Sequence, residues 1–381
     1  MIKTDCIYFP LDRPCRFHKE KGVKCDGCHN YKPMFINSNK GIKRILIIKL
    51  DAMGDVLRST FILPGLKEKY KKCHITWVVA PQSFDILKEN PYIDRICLLD
   101  AEIYKQIACE KFNIVINLDL SPASLVLATQ AFADKKIGFC LDRRRRIVSS
   151  NAYAKKWFEM SASDSEKKKN TRTYQHHMAK IIGLPRSNYE IYTPLNKHSI
   201  INAKKFALKH SLSEKTIVGI NPGAGRRWKL KKWTDGGYIK IIEKLSAAGA
   251  KVLLFGGPLE KDLVSMLTHV SRGKAISAGT DNSILDFFAL LNLCDIVLTG
   301  DTLTMHAALG LKKKVVVFFG PTSANEIEMY GRGIKVVSPK NCACCYLPEC
   351  SKKPSCMDLI KPADIWSALQ KYLGENIKTL H

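Results

Sequence analysis

Five stretches of the sequence combine residue types and spacings that can bind anions or move protons. KLDAMGDVLRS sets Gly54 in a tight turn and Asp55 at the start of the helical pattern that follows. An aspartate there can cap the helix, or it can aim its carboxylate into a cleft. INPGAGRRWKLKKW places Gly223 and Gly225 beside Arg226, Arg227, Lys229, Lys231 and Lys232. Cations next to a glycine turn suit a phosphate site or a solvated basic loop, and the spacing GxxxxGK[ST] of a P-loop is absent. In TGDTLTMHAALG, Asp301 can cap while Thr302 and Thr304 open a short helix. The amides and positive dipole end of such a helix form an anion site, and the two hydroxyls can add hydrogen bonds. His306 reads equally as a packed side chain or a ligand contact. FGGPLEKD carries Glu260 just past a strand, where it can accept from a ribose diol. Arg143, Arg144, Arg145 and Arg146 form an exposed loop or a contact for phosphates and acidic sugars.

The cysteines form two groups. Cys6, Cys15, Cys25 and Cys28 precede the first apolar run, with the last two in a CxxC pair. Four soft ligands with a chelating knuckle suit a structural, non-catalytic zinc site; an iron–sulfur cluster suits them less well, and reduced thiols are the alternative. Cys342, Cys344, Cys345, Cys350 and Cys356 cluster near the other end, as a second site, as bridges or as thiols. The remaining five of the 14 are scattered and read as small buried hydrophobes.

The elements that would carry these residues come in two series. KRILIIKL, HITWVVA, DRICLLD, FNIVINLD and KKIGFC read as strands, with helical spacing between most of them. Continuous apolar runs of this kind belong to parallel strands buried on both faces. The polar stretch Ser161–Thr173 breaks the pattern and reads as a surface loop. The alternation then resumes with TIVGINPG, KVLLFGG, KAISAG, DIVLTG, VVVFFG and KVVSP, before the amphipathic PADIWSALQKYL. Two such series predict two Rossmann-like domains with ligands beyond the carboxyl ends of their strands. The expected division is a Cys-rich appendage (1–40), an N-terminal Rossmann-like domain (41–190), a C-terminal Rossmann-like domain (191–360) and a C-terminal helix (361–381).

Composition narrows the setting. The 381 residues are about twice a typical domain, and 46% apolar with 25% charged is ordinary globular usage. No run approaches the ~20 apolar residues of a spanning helix, and the start lacks the basic end and apolar core of a signal peptide. A cytoplasmic location is therefore expected. The 61 Lys and Arg against 35 Asp and Glu leave a net charge of +26, which favours an anionic partner.

KRILIIKLDAMGDVLRSTFILPGLKEKY, NPGAGRRWKLKKW and GDTLTMHAALGLKKKVVVFFGPTS, in that order, resemble glycosyltransferase family 9, the family of the ADP-heptose:lipopolysaccharide heptosyltransferases. The likeness covers roughly residues 42–370. It implies the GT-B fold with the active site between two Rossmann-like domains, 41–190 holding the acceptor and 191–360 the nucleotide-sugar donor. It implies Asp55 as general base and Lys231 on the donor diphosphate. Glu260 would meet the ribose and Asp301, Thr302, Thr304, Met305 and His306 the phosphates, with Asn221 and Gly223 completing the donor site. Family members often read DTG or DSG where this chain has Asp301-Thr302-Leu303.

The expected activity is inverting, metal-independent transfer of a heptose or related sugar from a nucleotide donor, ADP-heptose favoured, to a phosphorylated or acidic lipid-linked glycan. Asn117-Leu118-Asp119 approaches a DxD metal motif but has an amide in the first position. The arginine run would hold the acceptor, and the positive charge would draw the protein to the anionic inner face of the membrane. Two other classes remain open. One is a nucleic-acid-binding protein with a zinc knuckle, against which stands the lack of a recognisable RRM, KH or helix-turn-helix pattern. The other is a different sugar-nucleotide enzyme, such as an epimerase.

Overall fold

The computed structural model describes residues 1–6, 8–10, 12–32, 41–212, 215–225, 229–342, 344–347 and 349–374. Arg226 and Arg227 of the basic cluster lie outside these residues. The apolar runs become strands covered on both faces. In β1 (Lys43–Ile48), Ile45 and Ile47 face one hydrophobic cluster while Leu46 and Ile48 face another, and all four are fully buried.

Beside β1 lie β2 (Cys73–Val79) and β4 (Lys111–Asn117), flanked by β3 (Arg95–Leu98) and β5 (Phe132–Leu141). The sheet order is β3-β2-β1-β4-β5 with all neighbours parallel; β6 (Ile147–Ser149) then pairs antiparallel with β5. The sequence pattern missed β6 because three residues are too few to show a period. Gly138 of β5 cannot be replaced freely. Its φ is +92°, and a Cβ there would fall 1.8 Å from the Asn117 carbonyl oxygen.

The second sheet repeats the plan. It consists of β7 (Ile217–Asn221), β8 (Lys251–Leu254), β9 (Ala275–Ser277), β10 (Ile296–Gly300), β11 (Lys314–Phe319) and β12 (Gly333–Val337). These strands run parallel in the order β12-β11-β10-β7-β8-β9. In both sheets the order reverses beside the first strand, and a crevice opens there beyond the strand ends. The helix Pro362–Leu373 packs its buried Ile365, Ala368, Leu369 and Tyr372 into the core of the second sheet.

Two Rossmann-like domains thus face one another, the GT-B arrangement. One hydrophobic cluster runs through both, joining Val56, Leu57 and Phe61 to Met305, Ala307 and Leu309. The connecting segment is tied to the second domain. Glu190 makes a bidentate pair with Arg332 at 2.9 and 3.0 Å, and Thr193 Oγ1 donates to the Ala307 carbonyl at 3.1 Å.

The stretch expected as a surface loop contains the helix Asp164–Lys169. It is polar all round, so no apolar period announces it. What holds it is local: the Ser163 hydroxyl caps Glu166 N–H, acidic residues occupy the first turn and lysines the last. Its Lys167 ammonium lies 4.3 Å from the ring centroid of Tyr346, in the cysteine-rich segment of the other domain. Among the described residues no helix is long and apolar enough to cross a membrane.

Candidate active site

The crevice between the domains is a cavity of about 650 Å³. The first domain contributes the helix Met53–Ser59, whose N-cap is Ala52 rather than Asp55. Asp55 therefore sits within the first turn with its carboxylate available to the cavity, its side chain 40% exposed. Arg58, one turn on, approaches Asp55 Oδ1 to 2.9 Å through Nη2. Burial would raise the Asp55 pKa. Arg58, then Lys49, His306 and Lys231, outweigh it and hold the carboxyl below its usual range.

Beneath this helix Lys49 is buried and paired with Asp119, while donating to the Asp51 carbonyl at 3.0 Å. Asp119 Oδ2 also accepts Leu50 N–H at 2.7 Å. The Asn-Leu-Asp segment is thus engaged in fixing the loop that follows β1.

The helix Met53–Ser59 rests on the helix Leu303–Gly310 of the second domain. The helices meet at Gly54, where a Cβ would lie in ordinary contact with His306 Cδ2 at 3.4 Å and the Leu303 Cα at 3.6 Å. Thr302, Leu303, Thr304 and His306 line the cavity, while Met305 is fully buried in the shared core and does not. Residues 303 and 306 share one helix face, and 305 is turned away from it. The Thr302 hydroxyl bonds to that of Thr299 at 3.0 Å and accepts from Asn221 Nδ2 at 3.4 Å.

Lys231 reaches the same corner and donates from Nζ to Asp301 Oδ2 and to the Asp301 carbonyl, each at 2.9 Å. Burial raises the Asp301 pKa, but Lys231 and His306 more than reverse that. His306 goes the other way. Burial, reinforced by Arg58, pushes its pKa down to about 4, against the pull of Asp301 and Asp55. It is therefore neutral at pH 7.

Glu260 closes the glycine side of the cavity. Its carboxylate accepts from Gly225 N–H at 3.2 Å and from Gly257 N–H at 3.0 Å. Gly223 leaves room for this carboxylate, since a Cβ there would sit 2.4 Å from Glu260 Cγ and displace it. An ionised carboxylate retains further lone pairs for a ligand hydroxyl. Lys232 pairs instead with Asp235 at 2.8 Å.

Arg143–Arg146 do not reach the cavity. They form the exposed turn between β5 and β6, wrapped around Asp142, which accepts from Arg144 N–H and from Arg146 N–H and Nε. Cys6, Cys15, Cys25 and Cys28 line a separate cavity of about 560 Å³ in the appendage. Among the described residues no three His, Cys, Asp or Glu side chains are arranged to hold a metal ion.

Arg58, Glu326 and Tyr346 are among the cavity residues that escaped the sequence. Arg58 stood in the quoted DVLRS stretch, at helical spacing from Asp55. Glu326 and Tyr346 had no local signal: the Tyr346 hydroxyl donates to Glu326 Oε1 at 3.1 Å and accepts from Ser323 N–H at 3.2 Å. Burial keeps the Glu326 pKa above its ordinary value despite nearby Arg58.

Comparison with known proteins decides the family. The sequence profile of glycosyltransferase family 9 (heptosyltransferase) matches residues 101–355. The chain belongs to glycosyltransferase family 9. It is similar to lipopolysaccharide heptosyltransferase 3 of Escherichia coli, 20% identical over 359 residues, which cover 84% of this chain and 96% of that protein. It is 29% identical to lipooligosaccharide heptosyltransferase 2 of Haemophilus influenzae over 125 residues, only 32% of this chain and 36% of that protein.

Solved structures share the fold. That of the family 9 glycosyltransferase from Veillonella parvula has a TM-score of 0.72 at 19% identity, covering 87% of this chain and 97% of the other. The E. coli ADP-heptose LPS heptosyltransferase II has a TM-score of 0.63 at 16% identity, covering 87% and 98%. The family 9 chain is thus a glycosyltransferase whose conserved fold brings Asp55, Lys231 and Asp301 to one cavity.

The site predicts acid sensitivity with a definite sign. A buried histidine whose pKa falls from 6.5 to about 4 stabilises the fold fully above 6.5 and loses that contribution as pH drops toward 4. His177 behaves likewise, from the same starting value to about 4. His306→Gln is expected to flatten, without abolishing, the fall in melting temperature across that window, since His74, His176 and His177 are also held below their usual range. An unaltered slope in a pH series of thermal melts would contradict the assignment.

Proposed function

We propose that this glycosyltransferase moves a heptose or a related sugar from a nucleoside-diphosphate donor to a lipid-linked glycan of the lipopolysaccharide-core type. ADP-heptose is the favoured donor. The observation that carries this reading is the opposition, across one cavity, of the Asp55 carboxylate and a corner made by Lys231 and the start of the helix Leu303–Gly310. The names of the relatives supply the sugar and acceptor class, and the site supplies the roles.

In the proposed step Asp55 takes the proton of an acceptor hydroxyl. The hydroxyl oxygen forms the new bond to the anomeric carbon as the bond to the diphosphate oxygen breaks. The electron pair leaves on the diphosphate, where Lys231 and the helix amides stabilise the charge in place of a divalent metal. Asn221 and Thr302 shape this corner, and Glu260 offers its remaining lone pairs to the ribose. Attack opposite the leaving group inverts the anomeric centre.

Asp55→Asn is expected to lower kcat by ~10²–10⁴-fold while ADP binding by calorimetry stays unchanged. Transfer from ADP-heptose by the parent enzyme should persist in EDTA. Full activity of Asp55→Asn would remove the base, and abolition of transfer by EDTA would remove the metal-free mechanism.

The arginine turn belongs to the acceptor side of this reading, outside the cavity. We propose that Arg143, Arg144, Arg145 and Arg146 meet phosphates of the acceptor or the anionic inner face of the cytoplasmic membrane, with the enzyme peripheral to it in the cytoplasm. Each Lys or Arg close to such a surface contributes ~1 kcal/mol. Replacing all four by Gln should weaken binding to phosphatidylglycerol vesicles and raise the acceptor KM without changing donor affinity. Equal vesicle binding and equal KM would reject the role.

For the appendage we propose a structural zinc held by Cys6, Cys15, Cys25 and Cys28. What supports it is that all four line a single cavity, although metal binding would have to draw the sulfurs together. Elemental analysis of the full chain should find one zinc per molecule, lost on Cys25→Ser with Cys28→Ser. Metal below a tenth of an equivalent, ~0.1 per chain against the full site expected of structural zinc, would exclude the site.

A further inference from the structure

Arg58 is a cleft cation to which the proposed reaction gives no task. It follows Asp55 by three positions on one helix, so the two side chains share a face, and its Nη2 lies 2.9 Å from Asp55 Oδ1. This is no solvated surface pair, because the Arg58 side chain is only 15% exposed. Its guanidinium carbon lies 3.9 Å from the centroid of the Tyr174 ring, within the range of a strong cation–π contact.

Tyr174 is itself held on both sides. Its hydroxyl meets Ser59 Oγ at 2.8 Å, on the same helix as Asp55. Its backbone N–H donates to the Glu326 carbonyl of the second domain at 2.9 Å. The orientation of Asp55 is thus the end of a chain of contacts that begins in the opposite domain: Glu326, Tyr174, Arg58, Asp55.

We propose that Arg58 is a positioning residue for Asp55: stacked on Tyr174, it fixes the carboxylate toward the acceptor hydroxyl and supplies its counter-charge. The inference rests on the reading of Asp55 as the base. The groups facing Asp55 are Arg58, Lys49, His306 and Lys231; those facing Arg58 are Asp55, Tyr174, Glu326 and Asp301. Among the cations, Arg58 comes first in lowering the Asp55 pKa, and Lys49 second. Lys49 is committed to Asp119. Its charge therefore cannot substitute for a guanidinium that lies directly on the carboxylate. Neutralising Arg58 must then raise the pH at which Asp55 loses its proton, and it must loosen the carboxylate's aim.

The test compares Arg58→Gln, Arg58→Lys and Asp55→Asn as full chains, with kcat measured across the acid and neutral range and ADP affinity by calorimetry. Arg58→Gln should lower kcat about tenfold or more, move the acid limb of the kcat profile to higher pH, and leave ADP affinity unchanged. Arg58→Lys should return the limb toward the parent position without restoring the full rate, since an ammonium lacks the planar stack. An unmoved limb in Arg58→Gln, a parental rate, or lost ADP binding would each overturn the inference. If Asp55→Asn is inactive while Arg58→Gln is normal, only the positioning role fails. If Asp55→Asn retains the parental rate, the base itself fails and the positioning role with it.

Discussion

The whole site depends on the close crossing of two short helices, Met53–Ser59 and Leu303–Gly310, one from each domain. At the crossing Gly54 lies against Leu303 and His306, with the position of a Cβ 3.4–3.7 Å from their nearest atoms. That contact sets the carboxylate of Asp55 near the pocket holding Lys231 and Asp301.

Charge within the crevice is balanced in pairs: Arg58 with Asp55, Lys231 with Asp301, Lys49 with Asp119. Farther down the first sheet, the buried Glu110 is shared by Arg44 and Arg95 at 2.5 and 2.7 Å. The three crevice pairs cancel and the Glu110 cluster leaves a single positive charge, so nearly all of the net +26 of the chain is carried by other residues, the exposed arginine turn between β5 and β6 among them. A neutral His306 completes the balance. It adds a polar wall without adding a third positive charge beside Lys231 and Arg58.

Much of this was legible in the sequence for a physical reason. Buried parallel strands need unbroken apolar runs, so Ile45–Ile48 and Val315–Phe319 announced themselves, and the glycine turns after them marked the crevice. Asp301 follows such a strand directly, and Asp55, Lys231 and His306 lie in the segments that come after one. Met305 was read as a donor contact because it lies in the same short motif, yet helical geometry turns it into the core. Arg58, Glu326 and Tyr346 depend on contacts between distant segments, and no local pattern encodes those. Ser161–Thr173 hid a helix because its stability comes from a cap and charges rather than an apolar stripe. The four arginines after β5 lie in a turn outside the cavity lining, a placement that no local pattern announces.

A structure of the chain with bound ADP tests the central claim most directly. The account predicts the β-phosphate within hydrogen-bond distance of Lys231 Nζ and of the first amides of the helix Leu303–Gly310, with the terminal phosphate oxygen facing the side of the cavity that holds Asp55. Nucleotide bound outside this cavity, or with its diphosphate turned away from both Lys231 and that helix, would contradict it.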